Sequence, residues 1–166
     1  MMFNEGIVLG HHISRKEIKV DSSKVEIISK LSIPSCQRDV SSFLGFVGYY
    51  RRFIENFINI ASPLLKLLTK DGEFSWNFDF QKDFETLKKK IFESPILKGP
   101  NWKLSFHIST NALETTLGVV LGQRDLTPYP IYYTSKILTP TELNYIVTDK
   151  EFLVVIHAIN NGEDIR

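Results

Sequence analysis

In the first hundred residues, apolar side chains recur mostly at the three- and four-residue spacing of an amphipathic helix. Side chains that cap helix N-termini stand before four of these stretches, at Asp21, Ser35, Ser62 and Asp79. The pattern therefore predicts four helices: residues 22–31, a long helix after Ser35 with an apolar stripe from Val40 to Phe57, residues 64–68 with Pro63 at the first helical position, and a helix after Asp79 that buries Phe80, Phe84, Leu87 and Ile91.

Two short runs of strand-forming residues, 7–9 and 18–20, precede these helices. The polar segment 11–17 between them is predicted to turn the chain back as a hairpin. His11 and His12 could suggest a pair of metal ligands. Adjacent side chains in a strand point to opposite faces, however, which favours their interpretation as loop residues.

After the chain breakers Pro95 and Gly99-Pro100, the apolar spacing changes to the alternation that is typical of strands. This alternation predicts strands at residues 104–109, 117–121 and 131–137, with a loop at 123–130 between the last two.

Two capping boxes follow, Thr139-x-x-Glu142 and Thr148-x-x-Glu151. The second box is expected to open a buried helix over residues 152–159. The chain is thus predicted to be α+β, with a mainly helical domain at 1–98 and a β-β-β-α domain at 99–166.

The composition fits a folded protein, because 43% of the 166 residues are hydrophobic and 12% are aromatic. A net charge of +1 gives no overall signature of nucleic-acid binding. Cys36 is the only cysteine, which excludes a disulfide within the chain and favours a reducing compartment. Neither a signal peptide nor an apolar run of about 20 residues is present, so we expect an intracellular protein, cytoplasmic or nuclear, without a membrane span.

The most informative segment, residues 42–54, contains the run Tyr49-Tyr50-Arg51-Arg52. Cations beside aromatic rings suit the phosphate backbone of a nucleic acid and its bases. The alternative interpretation is a core helix that ends in a solvated pair of arginines.

The motifs, taken in chain order, resemble the pol polyprotein of gypsy-type LTR retrotransposons. Gly6-Ile7-Val8-Leu9-Gly10-His11 is similar to the end of the reverse transcriptase palm, and Arg51-Arg52-Phe53-Ile54 with Ala61-Ser62-Pro63-Leu64 is similar to the thumb and connection. Beyond Gly99 the motifs resemble the first part of the ribonuclease H domain: Phe106-His107-Ile108, Gly118-Val119-Val120-Leu121-Gly122-Gln123, Tyr133-Thr134-Ser135-Lys136 and Lys150-Glu151-Phe152-Leu153. The resemblance implies that residues 1–98 form the end of the palm with thumb- and connection-like helices, and that 99–166 form a truncated ribonuclease H-like domain.

The same resemblance implies that the catalytic groups are mostly missing. Family members polymerise with paired aspartates of a Tyr-x-Asp-Asp turn, which does not occur in this sequence. Their ribonuclease H site needs several carboxylates around two Mg²⁺ ions. Asn111 stands at the first aspartate position, Glu151 matches the second carboxylate, and the other two would lie beyond Arg166. Glu151 could instead serve the helix cap. We therefore expect an inactive chain that uses no metal or other cofactor, although Mg²⁺ serves the intact family.

Two functions follow from these observations. The chain is a fragment of a retrotransposon reverse transcriptase/ribonuclease H, or it is a nucleic-acid-binding module. In the second case Tyr49, Tyr50, Arg51 and Arg52, in an element that the resemblance places beside the template-primer duplex, bind an RNA–DNA hybrid or duplex DNA. The resemblance also implies the remaining parts of a pol polyprotein as further partners. A third possibility, residual nuclease activity, is not expected.

Overall fold

The computed structural model describes residues 5–14, 17–69, 74–113 and 115–162. The chain begins with three short antiparallel strands, and a fourth strand pairs with the third to complete a sheet in the order β1-β2-β3-β4. These strands are β1 (Glu5–Val8), β2 (His11–Ser14), β3 (Glu17–Val20) and β4 (Leu97–Lys98).

The predicted hairpin is present, but the prediction that residues 11–17 connect its strands was wrong. Leu9 and Gly10 have φ angles of 49° and 77° and make the whole turn. Two successive left-handed residues suit the two-residue turn of a hairpin. His11 therefore pairs directly with Val8, and the polar segment becomes a strand.

Four helices and a short 3₁₀ turn follow: α1 (Ser22–Ser29), α2 (Gln37–Tyr49), the 3₁₀ turn (Arg51–Phe53), α3 (Phe57–Leu67) and α4 (Phe78–Phe92). Asp21 caps α1 as predicted, because its carboxylate accepts a hydrogen bond from the Ser23 amide at 3.2 Å. The long helix after Ser35 was a wrong prediction, since the apolar stripe is divided between α2, the 3₁₀ turn and α3.

Three predicted helix starts also differ from the structure. Cys36, not Ser35, is the N-cap residue of α2, and Ser35 donates both its amide and its hydroxyl to Asp39. The left-handed Asn56, with a φ of 55°, starts α3 early enough to place Pro63 inside the helix. Asn77, not Asp79, caps α4 by accepting a hydrogen bond from the Phe80 amide at 3.0 Å.

The helices enclose the main core together with the first sheet. Phe84, Leu87 and Ile91 are buried as predicted, whereas Phe80 packs only at the margin of this core. Lys88 of α4 donates to the carbonyl of Leu31 at 3.1 Å. None of the helices in the described parts of the chain is long and apolar enough to cross a membrane.

The second sheet has the antiparallel order β5-β6-β7 and consists of β5 (Phe106–Ala112), β6 (Thr116–Arg124) and β7 (Pro128–Ile137). The loop predicted at 123–130 was wrong, because both strands extend through it to a turn at 125–127. A bulge at Leu121/Gly122 interrupts the simple alternation there. Because of this irregularity, the apolar alternation does not show where the strands end.

Two helices complete the described chain, α5 (Pro140–Leu143) and α6 (Val147–Gly162). The capping box of Thr139 and Glu142 is confirmed. Thr148 is not an N-cap, since α6 begins one residue earlier. The prediction of a buried helix was wrong as well: Leu153 packs on the sheet, but Phe152 is 67% exposed. One sheet face covers only one stripe of a helix, and Ile156 is also 41% exposed.

The connector after Gly99-Pro100 is fixed to the second sheet by Gln123, whose side chain is 1% exposed. Its carbonyl oxygen accepts hydrogen bonds from the Asn101 amide at 2.8 Å and from the Tyr129 hydroxyl at 3.2 Å. Its amide group donates to the carbonyls of Asn101 at 2.9 Å and Leu104 at 3.1 Å. The connector is therefore an ordered part of the fold.

The second sheet also packs directly on the helices. The amide of Ile58 donates to the Ser135 hydroxyl at 3.0 Å, and Tyr133 packs against the main core. Gly118 lies so close to Asn56 that a Cβ atom would be 1.9 Å from the Asn56 Oδ1 atom. The α+β architecture is confirmed, and its two sheets meet where β7 faces β4, α3 and the 3₁₀ turn.

Candidate nucleic-acid interface

The end of α2 is attached to the first hairpin through its two tyrosines. The Tyr49 hydroxyl donates to the Leu9 carbonyl at 2.7 Å, and the Tyr50 hydroxyl donates to the Gly10 carbonyl at 3.5 Å. Tyr50 is only 3% exposed, whereas Tyr49 is 49% exposed. Burial is also the main reason why the pKa of Tyr50 is raised. Of the two predicted aromatic contacts, only Tyr49 therefore presents a ring surface to solvent.

His11 fills the space between the hairpin and the arginine-bearing turn. Its ring centroid lies 5.1 Å from that of Tyr49, 5.5 Å from that of Tyr50 and 5.6 Å from that of Phe53. Its Nε2 atom is buried and has no hydrogen-bond partner among the described residues. Burial and the nearby Arg52 guanidinium lower the pKa of His11 below 6.5, so the ring is neutral at pH 7.

Arg51 and Arg52 line a cleft of about 390 Å³ between the 3₁₀ turn, the end of β4 and strand β7. In the described chain, neither guanidinium makes an ion pair or a hydrogen bond, and no carboxylate lines this cleft. A positive charge without a protein counter-ion is available to an anionic ligand. The structure thus brings both predicted arginines to one concave surface.

Lys98 is a third cation of this cleft, and it was not predicted from the sequence. It lies far from the arginines along the chain and approaches them only because β4 pairs with β3. Its ammonium lies 4.7 Å from the centroid of the Tyr129 ring. A residue brought in by strand pairing has no local motif that would identify it.

The positive charge of Arg51 in the cleft also acts on His157 of α6. The His157 Nε2 atom lies 3.4 Å from the Thr134 hydroxyl, at the wall of the cleft. Burial is the main reason why the pKa of His157 is lowered, and the charges of Lys136 and Arg51 lower it further. Lys136 is partly neutralised by Glu142, whose carboxylate lies 2.6 Å from its ammonium.

A second, shallower cleft of about 430 Å³ lies beside Glu55, on the face of the second sheet that carries Ser109 and Val120. Glu55, His107 and Arg124 contribute to its walls, and Tyr133 separates it from the first cleft. The pKa of Tyr133 is raised by burial and by the nearby Glu55 carboxylate. Because this cleft contains charges of both signs, it does not favour a polyanion in the way that the first cleft does.

Of the predicted remnants of a metal site, the structure describes the side chain of Asn111 only. Asn111 is exposed and pairs with Gly118, so its side chain lies on the sheet face that Gly118 turns towards Asn56. Helix α6, which carries Glu151 in its first turns, packs through Leu153 on the other face. The Glu151 side chain lies outside the described part of the structure.

Elsewhere in the described residues, no three acidic, histidine or cysteine side chains are grouped in a way that could hold a metal ion. Asn111 offers an uncharged amide oxygen, whereas a two-Mg²⁺ site requires several carboxylate oxygens. The described residues therefore do not fit a pair of Mg²⁺ ions.

Residues 76–165 match the family described as the ribonuclease H-like domain found in reverse transcriptase. The chain belongs to this family. Over 93% of its length it is 36% identical to the Pol polyprotein of the Drosophila melanogaster transposon 297, of which it spans 14%. It is 32% identical to the polyprotein of transposon opus from the same organism, covering 92% of this chain and 16% of that protein. The Tf2-3 polyprotein of Schizosaccharomyces pombe is 29% identical over 92% of this chain and 12% of its own length.

The fold is also that of solved reverse transcriptases. The foamy viral protease–reverse transcriptase, solved with an RNA/DNA hybrid, superposes with a TM-score of 0.84 at 22% identity, covering 98% of this chain and 22% of that one. A second structure, solved with double-stranded DNA, gives a TM-score of 0.83 at 22% identity and covers 99% and 35%. These comparisons confirm the resemblance to retrotransposon pol polyproteins.

The ribonuclease H-like domain, as matched, begins with α4 and includes β4. Arg51 and Arg52 therefore precede the domain along the chain, while Lys98 and the β7 wall of the cleft belong to it. The candidate interface is formed by the ribonuclease H-like domain together with the helices before it.

Proposed function

We propose that this part of a retrotransposon Pol polyprotein holds the backbone of an RNA–DNA hybrid or a DNA duplex in the cleft lined by Arg51 and Arg52, and that it does not cleave nucleic acid by itself. The observation that carries the proposal is a pair of guanidinium groups that form no ion pair with the described residues and line a cleft without a carboxylate. Phosphate contacts of this kind supply most of the non-specific affinity of proteins for nucleic acids.

The absence of cleavage is supported by the residues around Asn111. An amide at this position brings no negative charge, and no group of three or more acidic, histidine or cysteine side chains that could hold a metal ion occurs among the described residues. Metal-dependent hydrolysis of a phosphodiester needs the ions to be held at a fixed separation. We therefore expect the chain to require no cofactor for its binding role.

We also propose that the chain acts inside the cell, where nucleic acid is present. Other parts of a Pol polyprotein are its further partners. The foamy viral structures with RNA/DNA hybrid and double-stranded DNA support the choice of ligand, since they share this fold. The single exposed thiol of Cys36 is compatible with a reducing compartment.

The test is binding of a fluorescently labelled RNA–DNA hybrid and a DNA duplex, measured by anisotropy over a range of salt concentrations. Wild-type affinity is expected to fall steeply as salt rises, and the Arg51→Ala/Arg52→Ala variant should lose affinity and about two units of the log–log salt slope. The Lys66→Ala/Lys82→Ala variant removes the same charge from exposed positions of α3 and α4 and should behave as wild type.

A flat salt response in the wild type, or equal affinities of the arginine variant and its control, would refute the binding proposal. The same preparations, incubated with Mg²⁺ or Mn²⁺, should leave the hybrid intact. Cleavage that persists through purification and disappears in Glu151→Ala would show that the chain is a nuclease.

A further inference from the structure

The backbone is anchored both before and after Lys98 in the chain. Leu97 is 1% exposed and pairs with Ile18 of β3, which anchors the strand before the lysine. Three residues later, Gln123 binds both the amide and the carbonyl of Asn101. The backbone that carries Lys98 therefore has little freedom to move away from the cleft.

The Lys98 side chain packs over the ring of Tyr129. Its ammonium lies 4.7 Å from the ring centroid, within the range of a cation–π contact. The Tyr129 hydroxyl donates to Gln123 at 3.2 Å, so the ring is oriented by the same buried amide that fixes the connector. A cation–π contact uses none of the three N–H donors of the ammonium, which stay available to phosphate oxygens.

Glu17 stands opposite Lys98 in the β3–β4 pair and is therefore a candidate counter-ion. Within the described chain, however, the two side chains do not form an ion pair. The lysine side chain extends towards the ring of the second sheet, and the cleft keeps its third positive charge.

The aromatic residues around the cleft indicate which part of a nucleic acid it contacts. Stacking of unpaired bases requires open ring faces. Tyr50 and Tyr132 are 3% and 7% exposed, and Tyr133 packs against the main core. Tyr49 alone is half exposed, and its hydroxyl is bound to the hairpin. The cleft thus offers three cations and little stacking surface.

We propose that Lys98 is the third cation of a cleft that contacts the backbone of a double-stranded nucleic acid, and that Tyr129 positions its ammonium. This inference rests on the proposed function and extends it to one residue of the ribonuclease H-like domain. Lys98 adds a third contact with the phosphate backbone, and Tyr129 holds its ammonium in place.

The first experiment measures the salt dependence of duplex binding for the full chain. Lys98→Ala should lower the log–log slope by about one unit and weaken binding equally for duplexes of unrelated sequence. Lys66→Ala, the matched control, should change neither quantity. Wild type should also bind a duplex more tightly than either of its single strands at the same salt concentration.

The second experiment tests the positioning role of Tyr129 with a double-mutant cycle. Tyr129→Phe keeps the ring and loses only the hydrogen bond that orients it, so it should bind more tightly than Tyr129→Leu, which removes the ring and should weaken binding most. In the Lys98→Ala background, Tyr129→Leu should have no further effect, because the group that it positions is gone. A urea titration of each variant gives the fraction of folded protein, and the measured affinities are corrected for this fraction.

The outcomes separate this inference from the proposed function. If the arginine variant loses affinity while Lys98→Ala retains the wild-type slope, the lysine has no contact with the backbone and only the inference fails. Additive effects of Tyr129→Leu and Lys98→Ala would show that the ring acts through the fold alone. Tighter binding of single strands, or a strong sequence preference, would refute the assignment of a duplex backbone.

Discussion

Gln123 offers the most direct test of how the connector and the second sheet are joined. Its buried amide makes four hydrogen bonds, two with Asn101 and one each with Leu104 and Tyr129. The change Gln123→Leu keeps a similar volume and removes all four. It leaves an amide and two carbonyls of the connector without their partners, while the Tyr129 hydroxyl can turn to another acceptor.

The cost can be worked from these contacts. A hydrogen bond of this kind contributes about 1 kcal/mol net, so four bonds give about 4 kcal/mol. Asn101 is exposed, and water can replace part of what it loses. We therefore expect Gln123→Leu to lower the free energy of unfolding by about 2–4 kcal/mol, which corresponds to a fall in Tm of roughly 5–15 °C for a chain of this size.

Urea denaturation followed by far-ultraviolet circular dichroism measures this difference. Hydrogen exchange of the Asn101 amide gives a local readout, because this amide should exchange much faster in the variant. Gln81→Leu is the matched control: Gln81 accepts from the Trp76 indole at 3.0 Å and donates to Glu85 at 3.1 Å near the surface. It should cost about 1 kcal/mol. A loss below about 1 kcal/mol for Gln123→Leu would show that water replaces the buried network at little cost.

Two further predictions concern the supports of the cleft. Gly118→Ala should destabilise the protein by about 1–3 kcal/mol in thermal unfolding, because the new Cβ would lie 1.9 Å from Asn56 Oδ1. Asn56→Gly, which keeps the left-handed backbone and removes the obstructing group, should relieve most of that cost, and an undiminished cost would contradict the steric reason. His11 has a folded pKa below 6.5, so the unfolded chain takes up its proton first and stability should fall as pH drops from about 7 to 5. His11→Phe should reduce this fall in urea titrations at several pH values, and an unchanged pH dependence would show that His11 does not contribute to it.

Element type was predictable from the sequence where one face of an element is buried and regular. The apolar spacing located the helices and the second sheet because burial selects the same spacing that periodicity detects. Helix starts were less predictable. Asn56 begins α3 through a left-handed backbone angle, which no apolar pattern encodes, and Ser62-Pro63 inside the helix imitates a start signal. The prediction of the strand ends was wrong for a similar reason, because the bulge at Leu121/Gly122 interrupts the alternation.

The candidate site was predictable only where it is local in sequence. Arg51 and Arg52 were found because they adjoin a recognisable motif, and the structure brings both to the cleft. Tyr50, adjacent to them, is buried by the hairpin, a contact across 40 residues. Lys98 was missed because its place in the cleft depends on the pairing of β4 with β3. The roles of these residues in binding nucleic acid stay predictions.

The cleft is formed by two parts of the chain, and the junction between them must hold these parts in a fixed relative position. Its arginines follow α2, while Lys98 and the β7 wall belong to the ribonuclease H-like domain, so the charges stay together only if the two parts keep a fixed relation. If the connector were flexible, each binding event would have to restrict that motion, and the affinity gained from the third cation would be reduced. Gln123, the Ile58–Ser135 hydrogen bond and the close approach of Gly118 to Asn56 all oppose such motion. A buried polar network far from any phosphate is therefore expected to influence binding, because it keeps cations from two parts of the chain in one cleft.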